Sequence, residues 1–468
     1  MKYSPQQQQF FDLAVSGHSV AAPACAGAGK SSTVRPAMNE LVKRGIPCMS
    51  VPFMNSLYNE ELTAMPQVDV LNAHKRGNRM QIGKPLFNNK KVAQIADAID
   101  GKHAEIIAEF CQKLKCESFG ISNFDAEGIG TKYGLNLDFT DSAVQCLAIS
   151  DRNANSIDFD DQLRFPVLNG LKRPFKGTLL VDEAQDYSPM MRDFLSLFIG
   201  PETKGLILGD KDRQALQQFA GADPETFSLL AEMLKCQVIP FTYNFRCGKS
   251  IVDNANEFYP SDMEAAPDAI EGEVGEAITS QLEELDSNSA ILCEMNSPLL
   301  SFVITQIEKD RPVQFRPGKL WDKCKSVMWG LFDVRRCPVG EIANRAEEKV
   351  MEYAGDSGPD PDKLESIKCI SLLENLCIAK GITTTKWNHK TPVHPLEQIL
   401  DFLSSGNTGP VCMTGHTSKG LQWENVYHIP KVPAPRPDKP QQPWEVHQWR
   451  CVGYVIRTRA KARHFTLQ

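Results

Sequence analysis

Two stretches of this chain carry residue types that handle phosphate. The first, Ala24-Cys25-Ala26-Gly27-Ala28-Gly29-Lys30-Ser31, is small and glycine-rich up to a lysine and a hydroxyl. With little side chain in the way, the backbone N–H groups of Ala26, Gly27, Ala28 and Gly29, continued by Lys30, Ser31 and Ser32, can close around phosphate oxygens. Lys30 would neutralise the outer phosphates and the Ser31 hydroxyl would ligate Mg²⁺. Position 24 is Ala where the general G-x-x-x-x-G-K-[ST] pattern has Gly. The second stretch, Val181-Asp182-Glu183-Ala184-Gln185-Asp186, places acids at the end of an apolar run, Gly177-Thr178-Leu179-Leu180. Asp182 would share the Mg²⁺ with Ser31, and Glu183 would act as base or orienter for an attacking water. Gln185 and Asp186 serve either a coupling role or the cap of the next helix. Either stretch alone fits an ordinary turn; together they read as a nucleotide-hydrolysing site.

The elements around them have the layout such a site needs. An amphipathic segment, Gln6 to Val15, leads into the apolar strand Ser19-Val20-Ala21-Ala22, then the loop, then a helix from Lys30 to Arg44. A short strand at 48–53, a helix at 57–64 and a third strand at 68–71 follow. Residues 78–155 turn helical and polar, as an inserted subdomain would. Strand character resumes at Leu179 and at Gly205-Leu206-Ile207-Leu208-Gly209-Asp210. Strands alternating with helices predict an α/β fold with parallel sheets and ligands at their carboxyl edges. A second α/β block starts near Gln237 and includes Ala290-Ile291-Leu292-Cys293 and Pro410-Val411-Cys412-Met413, with a mixed helical stretch over 320–405 between them. The proline-rich run Pro430 to Pro443 predicts an extended surface connection.

At 468 residues and 42% hydrophobic, the chain can bury more than one core. No run approaches the ~20 apolar residues of a membrane span, and the first residues lack a signal-peptide core, so a cytoplasmic protein is expected. Its 14 cysteines include no C-x-x-C pair, which argues against a zinc ribbon and for reduced packing residues. The net charge of −7 argues on average against a nucleic-acid partner. Two local basic clusters, Asn72 to Arg79 and Arg457 to Arg463, point the other way.

Beyond these two stretches, the chain resembles the superfamily 1 helicases of the UvrD/Rep/PcrA type, with motifs in order over nearly its whole length. Tyr3-Ser4-Pro5-Gln6-Gln7 is similar to that family's adenine-reading motif, with Gln7 at the key position. Val51-Pro52-Phe53-Met54-Asn55 and Leu71-Asn72-Ala73-His74 resemble motifs that contact single-stranded DNA, and Ile157-Asp158-Phe159-Asp160-Asp161 resembles its acidic segment leading out of the first insertion. Gln214 with Phe219-Ala220-Gly221-Ala222 resembles the motif linking the γ-phosphate to DNA, which implies Gln214 as phosphate sensor and Phe219 as a stacking aromatic. Asn244-Phe245-Arg246-Cys247 resembles N-Y-R-S, which implies Phe245 on adenine and Arg246 on the γ-phosphate. Thr414-Gly415-His416-Thr417-Ser418-Lys419-Gly420-Leu421 and Tyr454-Val455-Ile456-Arg457-Thr458-Arg459-Ala460 complete the set. They imply His416 and Lys419 near the DNA, Gln422 at the nucleotide and Arg459 as a second arginine finger.

The resemblance implies two RecA-like domains, 1–77 with 156–236 and 237–319 with 406–468, carrying a helical insertion at 78–155 and a reduced one at 320–405. It also implies ATP and Mg²⁺ as cofactors and single-stranded DNA and DNA junctions as partners. A monomer of bacterial or phage origin, with room for a protein loading partner, moving 3′ to 5′ and unwinding duplex, is expected on the same ground. Translocation or protein displacement without unwinding, and a nucleotide-switched binding module, stand as alternatives. Departures from the family pattern are one extra residue before Gln214, Gln217 in place of Tyr, Gln422 in place of Glu, and Gln448-Trp449 in place of a Glu pair.

Overall fold

The computed structural model describes residues 3–52, 61, 63–117, 125–210, 213–278, 285–329, 337–354, 361–384, 386–388, 391–406, 408–431 and 442–468. Phe53 and Asn55, most of the helix expected at 57–64 and most of the proline-rich run lie outside the described residues. The chain divides into two units, residues 1–244 with 442–451 and residues 245–441 with 452–468.

The first unit is built on a six-stranded, all-parallel sheet. Its strands are β1 (Val20–Pro23), β2 (Cys48–Val51), β3 (Asp69–Val70), β4 (Gly177–Val181), β5 (Thr203–Gly209) and β6 (Gln237–Val238), in the spatial order β3-β2-β4-β5-β1-β6. The central strands are buried almost throughout, which is why they read as continuous apolar runs rather than as alternating ones. Each crossover to a parallel strand needs a helix or a long connection. α1 (Pro5–Val15) and α2 (Lys30–Lys43) pack on each other beside β1, while α3 (Ala73–Arg79) packs on α4 (Asp161–Leu168). A Cβ on Gly77 would stand 2.0 Å from the Gln162 carbonyl oxygen, so the α3–α4 approach demands glycine there.

The segment between α3 and α4 has its own core. Phe110, Cys111, Leu114, Ala143, Cys146 and their neighbours close around three helices, at 91–99, 104–116 and 140–152. Two buried lysines fasten this subdomain to the chain that returns from it. Lys115 Nζ lies 2.5 Å from Asp158 and 2.7 Å from Asp161, and Lys91 Nζ lies 2.7 Å from the other Asp161 oxygen. Lys91 also donates to the carbonyls of Ser150 and Asn153, so Asp161 neutralises two buried ammonium groups at once.

The boundary expected near Gln237 needs correction. β6 follows a helix, as the first strand of a new block would, but it pairs in parallel with β1 and completes the far edge of the first sheet. Backbone bonds from Gln237, Ile239 and Phe241 to Ser19, Ala21 and Pro23 carry this pairing onward, and the first unit runs to Asn244.

The second unit has another six-stranded, all-parallel sheet. Its strands are β7 (Glu273–Ala277), β8 (Ser289–Cys293), β9 (Gln314–Phe315), β10 (Val411–Thr414), β11 (Trp423–Ile429) and β12 (Ala460–Leu467), ordered β7-β12-β11-β8-β10-β9. The buried residues of the 320–405 helices are continuous with the core of the second sheet among the described residues. Leu320, Met328, Ile370, Leu373, Ile399 and Leu403 join Ile291, Cys293 and Phe315 in one continuous cluster. The helix at 395–404 packs on β9, while those at 320–329, 342–354 and 361–379 pack on one another and on the helix at 296–308.

Candidate nucleotide site and nucleic-acid interface

β1 ends with Pro23 opposite Gly209 of β5, so the loop after it leaves the carboxyl edge of the first sheet. Ala24 N donates to Gly209 O at 2.8 Å and Cys25 N to Phe241 O at 3.0 Å, which fixes the base of the loop. Gly27 at φ 68 and Gly29 at φ 72 are both left-handed, a conformation that costs other residues about 1–2 kcal/mol. α2 starts at Lys30 without a side-chain cap, which leaves its first-turn N–H groups open to an anion. Ser31 is exposed at this end, whereas the hydroxyls of Ser32 and Thr33 both turn back to the Gly29 carbonyl. Gln7 is buried, accepts from Ser4 N at 3.0 Å and donates to Ala28 O at 3.0 Å. As found, it braces the phosphate loop from α1, with both ends of its amide engaged within the protein.

The acidic box follows β4, which lies between β2 and β5. Lys30 Nζ sits 2.7 Å from Glu183 Oε1, so the loop lysine and the strand-end acid meet directly. Glu183 itself is left-handed at φ 53, a strained position for a non-glycine residue of the kind that clusters at functional sites. Its second oxygen accepts from Gln185 Nε2 at 2.6 Å; Gln185 Oε1 accepts from Asp210 N at 3.2 Å; and Asp210 Oδ2 accepts from Gln214 Nε2 at 3.0 Å. A continuous polar relay thus runs from Lys30 to Gln214. A Cβ on Gly209 would lie 2.3 Å from Gln185 Oε1, so the glycine before Asp210 makes room for the relay. Burial works to lower the Lys30 pKa, but the charges of Glu183, Asp182 and Asp210 outweigh it and hold the ammonium above its ordinary range. Burial pushes the Asp210 carboxyl up, against the pull of Arg213, Gln214 and Lys30. Asp182 is buried and accepts from Glu183 N at 2.9 Å.

The remaining nucleotide candidates lie at or beyond the start of the second unit. Phe245 is 45% exposed. Arg246 donates from Nε to Gln422 Oε1 and from Nη1 to Thr458 O, each at 3.0 Å, so Gln422 orients a guanidinium in this structure. Arg459 is only 2% exposed and donates to the carbonyls of Val455 at 3.0 Å and Leu421 at 3.2 Å. His416 and Lys419 sit on the turn after β10. Burial, with Lys323 and Lys419 nearby, holds the His416 imidazole down at about 4, so it is neutral at physiological pH.

A cavity of about 410 Å³ in the first unit is lined by one of the DNA-contact candidates, His74, with Asn72, Phe159, Asp186, Gln217 and Ala220 beside it; Phe219 is not in its lining. The His74 ring stacks on Phe159, centroids 3.6 Å apart, and its Nδ1 lies 3.1 Å from the Phe159 carbonyl. Burial lowers the His74 pKa to about 4, so it too meets a ligand uncharged. Phe159 is 55% exposed and lines this cavity, a placement that the sequence reading did not give it when it took its segment as acidic. An aromatic set among three acids was the available signal. Phe219 is 48% exposed, with its backbone held on both sides: Lys113 donates to its carbonyl, and its N–H donates to Gln448 Oε1 at 3.1 Å. Gln448, a departure from the family pattern, here buttresses that aromatic.

The model of the UvrD/REP helicase N-terminal domain matches residues 57–235, the stretch that holds the acidic box, the relay from Glu183 onward and most of this cavity. Residues 57–235 are of the UvrD/Rep type. ATP-dependent DNA helicase Rep from Salmonella typhimurium (strain LT2) is 28% identical over 125 residues, which cover 24% of this chain and 18% of that protein. Rep from Escherichia coli (strain K12) is 27% identical over the same length and shares. The chain thus matches less than a fifth of the length of these curated relatives. A solved arterivirus nonstructural protein 10, a helicase, aligns with 98% of this chain and 62% of its own length at 10% identity and a TM-score of 0.35.

Proposed function

We propose that this chain is an ATP-dependent DNA translocase and helicase that moves 3′ to 5′ along single-stranded DNA. The observation that carries the reading is the relay itself. It joins the phosphate-loop lysine, through Glu183, Gln185 and Asp210, to Gln214, and the chain then runs on to the exposed, backbone-braced Phe219. A shift of Glu183 on nucleotide turnover thereby has a path to an aromatic suited to stacking on a base, and such stacking contributes ~1–3 kcal/mol per base whatever the sequence.

In this reading Lys30 and the loop N–H groups hold the phosphates, and Glu183 takes the proton of, or aligns, the attacking water. Ser31 and Asp182 are the fitting Mg²⁺ holders: a hydroxyl and one buried carboxylate suit an ion that keeps most of its waters and binds through substrate phosphates. Mg²⁺ would supply charge neutralisation on the phosphate oxygens. Arg246 and Arg459 are the proposed arginine fingers; Arg459 must first exchange its Val455 and Leu421 carbonyls. Each base-pair step separated costs about 1.4 kcal/mol, within reach of one hydrolysis per step.

The test is ATP hydrolysis with and without single-stranded DNA, together with unwinding of 3′-tailed and 5′-tailed duplexes and an RNA control. Hydrolysis indifferent to DNA would refute the reading, and unwinding only from a 5′ tail would refute the polarity. A second reading, translocation without strong unwinding, is favoured by the core of the 320–405 helices running without a break into that of the second unit. It predicts DNA-stimulated hydrolysis with neither duplex opened.

A further inference from the structure

We propose that this chain selects its nucleotide by the phosphates and not by the base, so that its substrate class is nucleoside triphosphates at large. The proposal deepens the ATPase reading above and rests on it. A protein that reads adenine must meet a hydrogen-bond donor, the N6 amino group, beside an acceptor, N7; one glutamine amide does this with its two ends. Gln7 is the residue that the family resemblance implies for that task. In this structure its amide has two other partners. Gln7 Oε1 accepts from Ser4 N, and Gln7 Nε2 donates to Ala28 O, each at 3.0 Å.

The first bond belongs to the helix. Ser4-Pro5-Gln6-Gln7 forms a capping box at the start of α1: the Ser4 hydroxyl accepts from Gln7 N at 3.2 Å while the Gln7 carbonyl accepts from Ser4 N. The second bond belongs to the phosphate loop. Ala28 stands between the left-handed Gly27 and Gly29, so Gln7 braces the loop at its most constrained point. An amide keeps a spare lone pair and a spare N–H, but Gln7 is only 5% exposed, which leaves them little surface to offer a ligand. The neighbouring amides do not replace it. Gln6 donates to Thr242 Oγ1 at 2.9 Å and its Oε1 is buried, while Gln8 donates to Asp12 at 2.9 Å. Releasing Gln7 to a base would exchange two bonds for two, with no net gain for adenine over another base. The phosphates, by contrast, meet Lys30 and the first-turn N–H groups of α2 whatever base they carry.

The experiment measures binding without DNA and without turnover. ADP carrying a fluorescent label on its ribose is displaced from the full chain by ADP, GDP, CDP and UDP. All four are expected to compete within about fivefold of one another, the lower end of the roughly 5- to 150-fold that a bidentate amide gives between bases. Gln7→Glu keeps an acceptor for Ser4 N and removes the donor to Ala28, so it should change all four by the same factor. An ADP preference above about fivefold in wild type, or a loss in Gln7→Glu confined to ADP, would overturn the proposal. Failure of the labelled ADP to bind would do so as well. Hydrolysis of the four triphosphates on single-stranded DNA should show the same flat order. Absence of DNA stimulation with all four would sink the helicase reading alone, because the displacement series uses neither DNA nor hydrolysis.

Discussion

Gln185→Ala is the sharpest probe of the relay. Gln185 is fully buried and makes two bonds through one amide, a 2.6 Å donation to the Glu183 carboxylate and a 3.2 Å acceptance from Asp210 N–H. A hydrogen bond to a charged group contributes about 1.5–3 kcal/mol, and a stranded buried N–H costs about 1–3 kcal/mol. Glu183 keeps Lys30 at 2.7 Å, so nucleotide binding should persist; what it loses is the second restraint on a left-handed residue. If only about 1.4–2.7 kcal/mol of that orientation falls on the transition state, turnover drops roughly 10- to 100-fold.

The structure supplies an independent second variant. Gly209→Ala would put a methyl group 2.3 Å from Gln185 Oε1 and break the same link from the other side. Steady-state ATPase assays with saturating single-stranded DNA, with nucleotide affinity measured separately, should show both variants losing turnover with affinity changed less than about threefold. The double variant should be no worse than the poorer single one, because both remove one interaction. Full DNA-stimulated turnover in Gln185→Ala, or additive losses in the double variant, would refute the relay.

Three further outcomes follow from the geometry. Asp161→Asn leaves Lys91 and Lys115 buried without their shared counter-charge and should cost about 3–5 kcal/mol in urea unfolding. Burial already lowers the Lys91 pKa from its ordinary 10.5, so its charged form disfavours the folded state increasingly as pH falls below 10.5; the Asp161→Asn deficit should therefore be larger at pH 7 than at pH 10. Single-strand affinity should stay flat from pH 8 to pH 6 so far as His74 and His416 are concerned, since burial holds both near 4; a rise in binding as pH falls through 6.5 in wild type, absent after His74→Gln, would contradict this. Arg246→Ala should retain nucleotide binding while turnover falls by on the order of 10³, and normal turnover in a stopped assay would remove Arg246 from the phosphate chemistry.

The phosphate loop and the acidic box were legible because their chemistry dictates local sequence. Left-handed Gly27 and Gly29, and an acid pair closing an apolar parallel strand, leave a pattern in adjacent residues. Long-range placement left no such trace. Gln237-Val238 looks like any strand after a helix, and only pairing with β1 assigns it to the first sheet. The helices at 320–405 are amphipathic whether they enclose their own core or cover a neighbouring sheet, so nothing local revealed that Leu373 and Ile399 share a core with Ile291. Gln448 read as a lost carboxylate because its use, an acceptor for Phe219 N–H, depends on a residue 229 positions away.

The segment Asp158-Phe159-Asp160-Asp161 shows how one short run can serve fold and ligand together. Asp158 and Asp161 point inward to Lys115 and Lys91, while Phe159 points outward and stacks on His74. The two roles should separate by mutation. Phe159→Ala removes an exposed ring, so stability should change by less than about 1 kcal/mol. Single-strand affinity should fall about 5- to 100-fold if a base stacks on that ring. Asp161→Asn should do the reverse, with affinity per folded molecule lost less than in Phe159→Ala, because Asp161 itself is outside the cavity lining and Lys115, which is in it, keeps Asp158. Titration of a fluorescent oligonucleotide at a temperature where both variants are fully folded reads the two effects apart. Equal affinity losses in both would mean that the buried charges and the aromatic act through a single movement of the insertion, and the division of labour argued from their burial would be wrong.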